Sequence, residues 1–242
     1  MKLYQERTYR KRVTAHDLAS FNVRIKETDL LVSSDRDLYK ETIDLVFDYR
    51  HQLESYIKSH PEFLTTLQPY PDDPYATSII KDMIASTRDI GVGPMASVAG
   101  AIAQHVGLGL LGSAEQVVVE NGGDIFLKVN RPVTVSILAG ESPLSGRIGI
   151  SIPARMMPIG VCSSSGRVGH SLSMGHTDVT TILSPSAVRA DGAATALGNR
   201  IRTKTDLERF AEWVADIEGI LGGIVIMGDN MATWGEVELV KL

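Results

Sequence analysis

Cysteine is nearly absent from this sequence, and the chemistry that needs pairs of thiols is absent with it. Cys162 is the single cysteine among 242 residues, which excludes an intrachain disulfide and argues against a thiolate metal site. A small buried hydrophobe explains Cys162 better than a nucleophile does. The polar first residues, MKLYQERTYRKRV, are unlike a signal peptide. We therefore expect a protein of the reducing cytoplasm.

Aromatic residues are also few, at 6% of the chain, so the core must consist mainly of Val, Ile, Leu, Ala and Met. The longest apolar stretch, residues 98–111, is interrupted by Gln104 and His105 and is too short to span a bilayer. The 24 basic residues are scattered apart from a short run at residues 7–12, and the net charge is −5. Nothing resembles the basic stripe of a nucleic-acid-binding protein, so we expect neither a membrane nor a nucleic acid as partner.

The sequence does have an ordinary globular composition, and its length suits a single domain over residues 1–242. Periodicity predicts helices over residues 37–59, 73–86 and 186–199, one that begins with Pro94, and one that begins at a capping-box pattern from Thr205 to Glu208. Short β-branched runs predict strands near residues 116–120, 125–129, 133–138, 148–152, 177–183, 223–227 and 236–240. Strands in runs and helices in runs favour an α+β fold with mixed or antiparallel sheets packed against helices.

A pair of glycines separates two of these strands at Asn121-Gly122-Gly123-Asp124. A tight hairpin explains this segment, since Asn-Gly is the preferred two-residue turn. A binding site explains it too, because adjacent glycines let the backbone approach a ligand closely. The acidic residues on both sides, Glu120 and Asp124, would then hold a ribose hydroxyl or an adenine edge. The sequence leaves both interpretations open.

A cluster of hydroxyl groups follows a later apolar strand at Ser163-Ser164-Ser165-Gly166. Three hydroxyls and a glycine can surround a phosphate with hydrogen-bond donors, while a flexible surface loop is the alternative. The Gly-Lys-Ser/Thr ending of a Walker loop is missing. His170 comes shortly afterwards and could carry a proton near the same phosphate, although a lone histidine is usually structural.

Asp191 and Thr195 are one helical turn apart, so on a helix they share one face. A carboxylate and a hydroxyl are hard-oxygen ligands, which suit Mg²⁺ or Ca²⁺ better than zinc. The alternative is an aspartate at the start of its helix, favoured by the helix dipole, with the threonine bonded back to a carbonyl of the same helix. Spacing alone does not decide between a metal site and a structural role.

In their order and rough spacing, these segments resemble the ApbE family of FAD:protein FMN transferases, and in particular its small cytoplasmic members. The resemblance covers about residues 90–200. Three motifs carry it: Asn121-Gly122-Gly123-Asp124-Ile125, Ser164-Ser165-Gly166 with the downstream His170, and Ala190-Asp191-Gly192-Ala193-Ala194-Thr195-Ala196-Leu197. The last of these is the most specific.

The resemblance implies a Mg²⁺ site at Asp191 and Thr195, completed by a backbone carbonyl of the loop that corresponds to Gly91-Val92-Gly93. It also implies FAD as the ligand, with its diphosphate near the serine segment. Cleavage of the pyrophosphate would leave FMN on a threonine of an acceptor protein. His170 would be the candidate proton carrier in that reaction.

Two family elements differ in this sequence. The family's Lys-Gly-Tyr is replaced by Pro94-Met95-Ala96, and its His-x-x-Asp-Pro element begins at His170 but lacks the Asp-Pro. Three hypotheses therefore stay open. The first is a Mg²⁺-dependent enzyme that transfers FMN from FAD or cleaves the FAD pyrophosphate. The second is a non-catalytic flavin- or nucleotide-binding protein. The third is an assembly protein whose glycine-rich turns shape an interface, for example in a homo-oligomer.

Overall fold

A large antiparallel sheet forms the centre of the structure, a computed structural model that describes residues 17–166 and 176–242. Eight strands make up this sheet in the order β1-β2-β3-β4-β7-β8-β9-β10. Their bounds are β1 Ala19–Ile25, β2 Thr28–Ser34, β3 Val117–Asn121, β4 Asp124–Lys128, β7 Ile159–Ser164, β8 Val179–Ser184, β9 Gly222–Met227 and β10 Asn230–Gly235. A second, smaller sheet has the order β11-β6-β5, with β5 Val133–Ser136, β6 Ile148–Ile152 and β11 Glu238–Lys241.

Helices cover one face of the large sheet. They are α1 Tyr39–Ser59, α2 Glu62–Thr65, α3 Ser78–Arg88, α4 Val98–Leu110, α5 Ala187–Arg200, α6 Lys204–Glu208 and α7 Phe210–Ala215. A 3₁₀-helix, Pro94–Ser97, leads directly into α4, and another occupies Ala154–Met156. α4 packs on β3 and β4, and α5 packs on β7 and β8. In the described part of the chain, no helix is long and apolar enough to cross a membrane.

Two apolar cores lie on the two faces of the large sheet. The first, between sheet and helices, includes Phe126, Val106 and Phe210. The second, between the two sheets, includes Leu127, Ile150 and several residues of β7–β9. Successive residues of a strand point to opposite faces, which is why neighbours such as Phe126 and Leu127 belong to different cores. The predicted α+β class is confirmed, and the paired strands of the described residues are antiparallel.

Two details of the sequence-based prediction were wrong. The capping box lies at Thr203 and Asp206 rather than at Thr205 and Glu208: the Thr203 hydroxyl accepts the Asp206 N–H at 3.2 Å, and the Asp206 carboxylate accepts the Thr203 N–H at 2.9 Å. Aspartate can serve at this position because its carboxylate reaches back as glutamate does. A strand was also missed: the predicted strand at residues 236–240 corresponds to β11, whereas β10, which lies in the other sheet and ends at Gly235 with φ of 75°, was not predicted.

Close contact between α5 and the sheet depends on Gly160 in β7. A Cβ at this position would lie 2.3 Å from the Cα of Ala187, the first residue of α5. Because the obstacle is backbone rather than a flexible side chain, the helix would have to move. We expect Gly160→Ala to lower the free energy of unfolding by about 1–3 kcal/mol, measured by denaturant titration.

The matched control for this variant is Gly109→Ala in α4, where a Cβ would meet only the ends of the Leu45 side chain. Leucine can change rotamer and alanine favours a helix more than glycine does, so the control should be at least as stable as the parent protein. Equal stability of the Gly160 variant and the parent would show that α5 does not depend on this contact.

Candidate functional site

The β3–β4 hairpin turn is the first component of the site. Asn121 and Asp124 form the last pair of the ladder, and Gly122 and Gly123 make the turn between them, with Gly122 at φ of 83°. The predicted hairpin is therefore present. The turn is also anchored to a helix, because the Asn121 side-chain amide donates to the carbonyl of Ala99 at 3.2 Å. This bond brings the turn to the first turn of α4.

Asp191 reaches the same helix end from α5. Its carboxylate accepts the backbone N–H of Gly100, in the first turn of α4, at 2.8 Å. The N–H groups of a first helical turn have no partner within their own helix. Ser97, which precedes α4, makes no capping bond to the helix, and its hydroxyl donates to the carbonyl of Pro94 at 2.8 Å. Asp191 thus caps a neighbouring helix, and it lies too far into α5 to interact with the start of its own helix.

Thr195 lies one turn further along α5 and faces the segment before α4. Its hydroxyl donates to the carbonyl of Ala96 at 3.4 Å, rather than to a carbonyl of its own helix. The sequence pointed instead to the loop Gly91-Val92-Gly93 as the source of a carbonyl. In the structure Gly93 packs against Thr66, where a Cβ would lie 2.0 Å from the carbonyl oxygen. Ala96 therefore provides the oxygen that meets Thr195.

Two of the predicted phosphate-binding serines belong to a strand rather than to a loop. Ser163 and Ser164 are the last residues of β7, so their side chains point to opposite faces of the sheet. The Ser163 hydroxyl bonds to that of Thr181 at 2.8 Å, and its N–H donates to the Asp124 carboxylate at 3.3 Å. Ser164 is on the helix face and is buried. A ring of three serine hydroxyls around one phosphate is thus not formed.

Ser165 and Gly166 follow the strand, and the Gly166 N–H donates to the carbonyl of Thr177 at 3.1 Å. His170 and Arg167 lie outside the described residues, so their predicted roles rest on the sequence.

Two buried carboxylates dominate the electrostatics of the site. Burial, reinforced by the charge of Asp191, raises the pKa of Asp124 well above its usual range, against the lowering effect of the Ser163 N–H. Burial also raises the pKa of Asp191 to about 7, although the N–H groups of Gly100 and Ala99 lower it. The hairpin turn and the α5 motif are close in space, because Asn121 bonds to Ala99 and Asp191 bonds to the next residue, Gly100. A nearby cation would favour the ionised forms of both side chains.

The Asp191 carboxylate, the Thr195 hydroxyl and the Ala96 carbonyl are all hard-oxygen donors. A carboxylate offers several lone pairs, so Asp191 retains acceptor capacity while it caps α4. This donor set fits Mg²⁺ or Ca²⁺. A cage of three or more His, Cys, Asp or Glu side chains is not found among residues 17–166 and 176–242.

The fold and the order of these motifs define an α+β protein of the ApbE-like class. A family model described as "AbpE bacteria" matches residues 10–222, so the chain belongs to this family. A relative, the UPF0280 protein of Methanocella arvoryzae, is 40% identical over 215 residues, which cover 88% of this chain and 87% of the relative.

Solved structures support the same fold. The flavinyl transferase ApbE of Pseudomonas stutzeri is similar with a TM-score of 0.56 and 15% identity, over 89% of this chain and 93% of that one. The ApbE protein of Thermotoga maritima is similar with a TM-score of 0.55 and 12% identity, over 90% and 97%. At these identities the similarity shows the fold alone.

Sequence reasoning missed two contributors, the Ala96 carbonyl and Gly100. Ala96 was noticed only as a departure from the family's pattern, because a backbone oxygen leaves no signal in residue identity. Gly100 has no room for a side chain, since a Cβ would lie 2.3 Å from the Ala187 carbonyl oxygen and 2.8 Å from the Asp191 Cβ. The abundance of glycine and alanine in residues 98–110 was the available signal.

Stability should depend on pH through Asp191. Because the pKa of its carboxyl is higher in the folded protein than in the unfolded chain, the folded state binds the proton more tightly. The contribution of Asp191 to the free energy of unfolding is therefore complete below about pH 4, the pKa of aspartate in an unfolded chain. It is lost as the pH rises through about 7, the pKa in the folded protein. We expect the free energy of unfolding of Asp191→Asn to fall less than that of the parent as the pH rises between these two values. It is measured by denaturant titration with a chelator present.

Asn can still accept the Gly100 N–H, so this variant removes only the charge. Asp44→Asn, at an exposed position of α1, is the control and should follow the parent at every pH. Parallel curves for the parent and Asp191→Asn would contradict the raised pKa.

Proposed function

We propose that this protein is a Mg²⁺-dependent enzyme that acts on FAD or a related dinucleotide and cleaves its pyrophosphate, with FMN passing to an acceptor or to water. The observation that carries the proposal is that Asp191 and Thr195, one turn apart on α5, both face the start of α4. There the Asp191 carboxylate meets the Gly100 N–H and the Thr195 hydroxyl meets the Ala96 carbonyl, next to the Asn121–Asp124 turn. The solved structure of similar fold from Pseudomonas stutzeri is named a flavinyl transferase, and the proposal extends that activity to this chain.

The residues present fit a magnesium ion. Asp191 and Thr195 would hold it, with the Ala96 carbonyl as the third oxygen. A bound Mg²⁺ would supply neutralisation of the charge that develops on the phosphate oxygens. The raised pKa of the buried Asp191 agrees with such a role, because the ionised form needs a compensating positive charge at neutral pH.

The neighbouring segments would bind and orient the dinucleotide. Gly122 and Gly123 let the ligand approach the backbone of the turn, while Asn121 and Asp124 flank it. Ser163 contributes to this role through its backbone N–H, which holds Asp124. Ser164, Ser165 and Gly166 remain the proposed binding segment for the diphosphate. His170 would take a proton from the attacking hydroxyl group or water.

A flavin- or nucleotide-binding protein without phosphoryl chemistry is the second candidate. The hydrogen bond from Gly100 to Asp191 favours it, because that carboxylate already has a structural task in capping α4. Both candidates share one ligand and one site. They differ in whether the pyrophosphate is cleaved.

The proposed reaction predicts that AMP is released from FAD. AMP and FMN are measured by chromatography, in incubations with and without Mg²⁺. Thr195→Val removes one proposed ligand while nearly keeping the side-chain shape, and should abolish the Mg²⁺-dependent part of the rate. Thr195→Ser restores a hydroxyl and should recover it. His170→Ala should slow turnover, by roughly 10²–10⁴-fold if the histidine is a general base.

AMP release at the level of a protein-free control, with FAD still retained by the protein, would leave only the binding protein. Absence of both cleavage and FAD binding would reject both candidates. An unchanged rate in His170→Ala would reject that residue's role and spare the others.

The hairpin turn should define the space available to the ligand. A Cβ at Gly123 would lie 3.5 Å from the Ser163 carbonyl oxygen, an ordinary contact, so Gly123→Ala should fold like the parent. Gly123→Val adds two methyl groups beside the turn and should block FAD binding in fluorescence titrations. Undiminished binding by the valine variant, with an unchanged melting temperature, would place the ligand elsewhere.

A further inference from the structure

Gln104 makes a polar contact that links the two helices of the candidate site. It lies on α4, and its side-chain oxygen accepts the backbone N–H of Ala187, the first residue of α5, at 2.6 Å. That N–H has no partner within its own helix. The residue before the helix, Ser186, serves a different group, because its hydroxyl accepts the N–H of Arg189.

The contact is one half of a reciprocal arrangement. Gln104 of α4 caps the start of α5, while Asp191 of α5 caps the start of α4. Gln104 lies one turn after Gly100 on α4, and its partner Ala187 lies one turn before Asp191 on α5. The contact between Ala96 and Thr195, one turn away in the opposite direction on each helix, belongs to the same register.

Close packing makes this register sensitive to small shifts. A Cβ at Gly100 would lie 2.3 Å from the Ala187 carbonyl oxygen, so the two helices approach almost backbone to backbone. The sheet beneath α5 sets how deeply the helix is seated, through the contact of Gly160 with Ala187. Sliding or rotation of α5 against α4 is opposed by the polar contacts between the two helices.

We propose that Gln104 is a positioning residue for the candidate cation site. By holding the first N–H of α5, it fixes the register that places Asp191 against Gly100 and Thr195 against Ala96. The hydrogen bond of Gln104 goes to the first N–H of α5 and not to a proposed oxygen ligand, so Gln104 acts through the helix. The part of this inference that concerns a cation rests on the proposed function, whereas the part that concerns the register does not.

The experiment compares Gln104→Met, which removes the acceptor at similar length, with Gln104→Glu, which keeps an acceptor oxygen. Gln52→Met, at a half-buried position of α1, is the matched control. Mn²⁺, as a spectroscopic probe for the magnesium site, is titrated by electron paramagnetic resonance well below the melting temperature. Backbone hydrogen exchange of Ala99 and Gly100 is measured without metal, where it reports the Asp191 cap directly.

For Gln104→Met we expect faster exchange at Gly100 and a Mn²⁺ dissociation constant raised by roughly tenfold to a hundredfold, as for other residues that orient metal ligands. Gln52→Met should match the parent in both measurements, and Gln104→Glu, whose added charge itself affects cation binding, should match it in exchange at Gly100. If the methionine variant fails to fold, Gln104→Asn gives the same comparison, because its shorter side chain should not reach Ala187.

Faster exchange confined to Ala187, with Gly100 and the dissociation constant unchanged, would show a local helix cap and overturn the inference. A parent protein that does not bind Mn²⁺ would reject the proposed cation site and the cation part of the inference with it. Exchange at Gly100 would then still decide whether Gln104 sets the position of Asp191.

Discussion

The hydrogen bond from the Gly100 N–H to the Asp191 carboxylate joins the two helices on which the candidate site is built. Ser97 donates its hydroxyl to the preceding carbonyl of Pro94 and makes no capping bond to α4. The acceptor for the Gly100 N–H comes instead from α5. The same register brings Thr195 to the Ala96 carbonyl, so one tertiary contact sets the geometry of the proposed ligands.

The same bond explains how a carboxylate can be accommodated where only 7% of its surface is exposed. A buried charge is costly unless it is paired or hydrogen-bonded. The N–H groups of Ala99 and Gly100, and the positive end of the α4 dipole, offset part of that cost. The remaining cost is visible in the raised pKa of Asp191, and a divalent cation would offset it in the same way as a proton does.

Local patterns predicted much of the architecture. The helix around Asp191 and Thr195, the hairpin at Gly122 and Gly123, and the α+β class all follow from periodicity and turn chemistry, which depend on residues close in sequence. An error arose where the sequence offers two similar capping boxes close together. Thr203 and Thr205 each precede an acidic residue by three positions, and the chain chose the first of the two capping boxes.

The helix face that carries Asp191 and Thr195 was predictable, but its contacts were not. The sequence brought Asp191 and Thr195 to one helix face, and the structure agrees. That Asp191 would cap a different helix was hidden, because the Gly100 N–H is a backbone group far away in the sequence. The serine segment was misjudged at Ser163, because its strand continues two residues beyond Cys162 and directs that hydroxyl to the other face.

The exchange of sheets at Gly235 affects how the molecule would respond to mechanical load. β10 pairs with β9 in the large sheet, whereas β11, the next strand along the chain, pairs with β6 in the small one. The bend between them is tight, since a Cβ at Gly235 would lie 2.2 Å from the Leu221 carbonyl oxygen. Because β11 is an edge strand that, among the described strands, pairs with β6 alone, tension applied at Leu242 would load the β11–β6 ladder before it reaches the β10–β9 ladder of the sheet that bears the site.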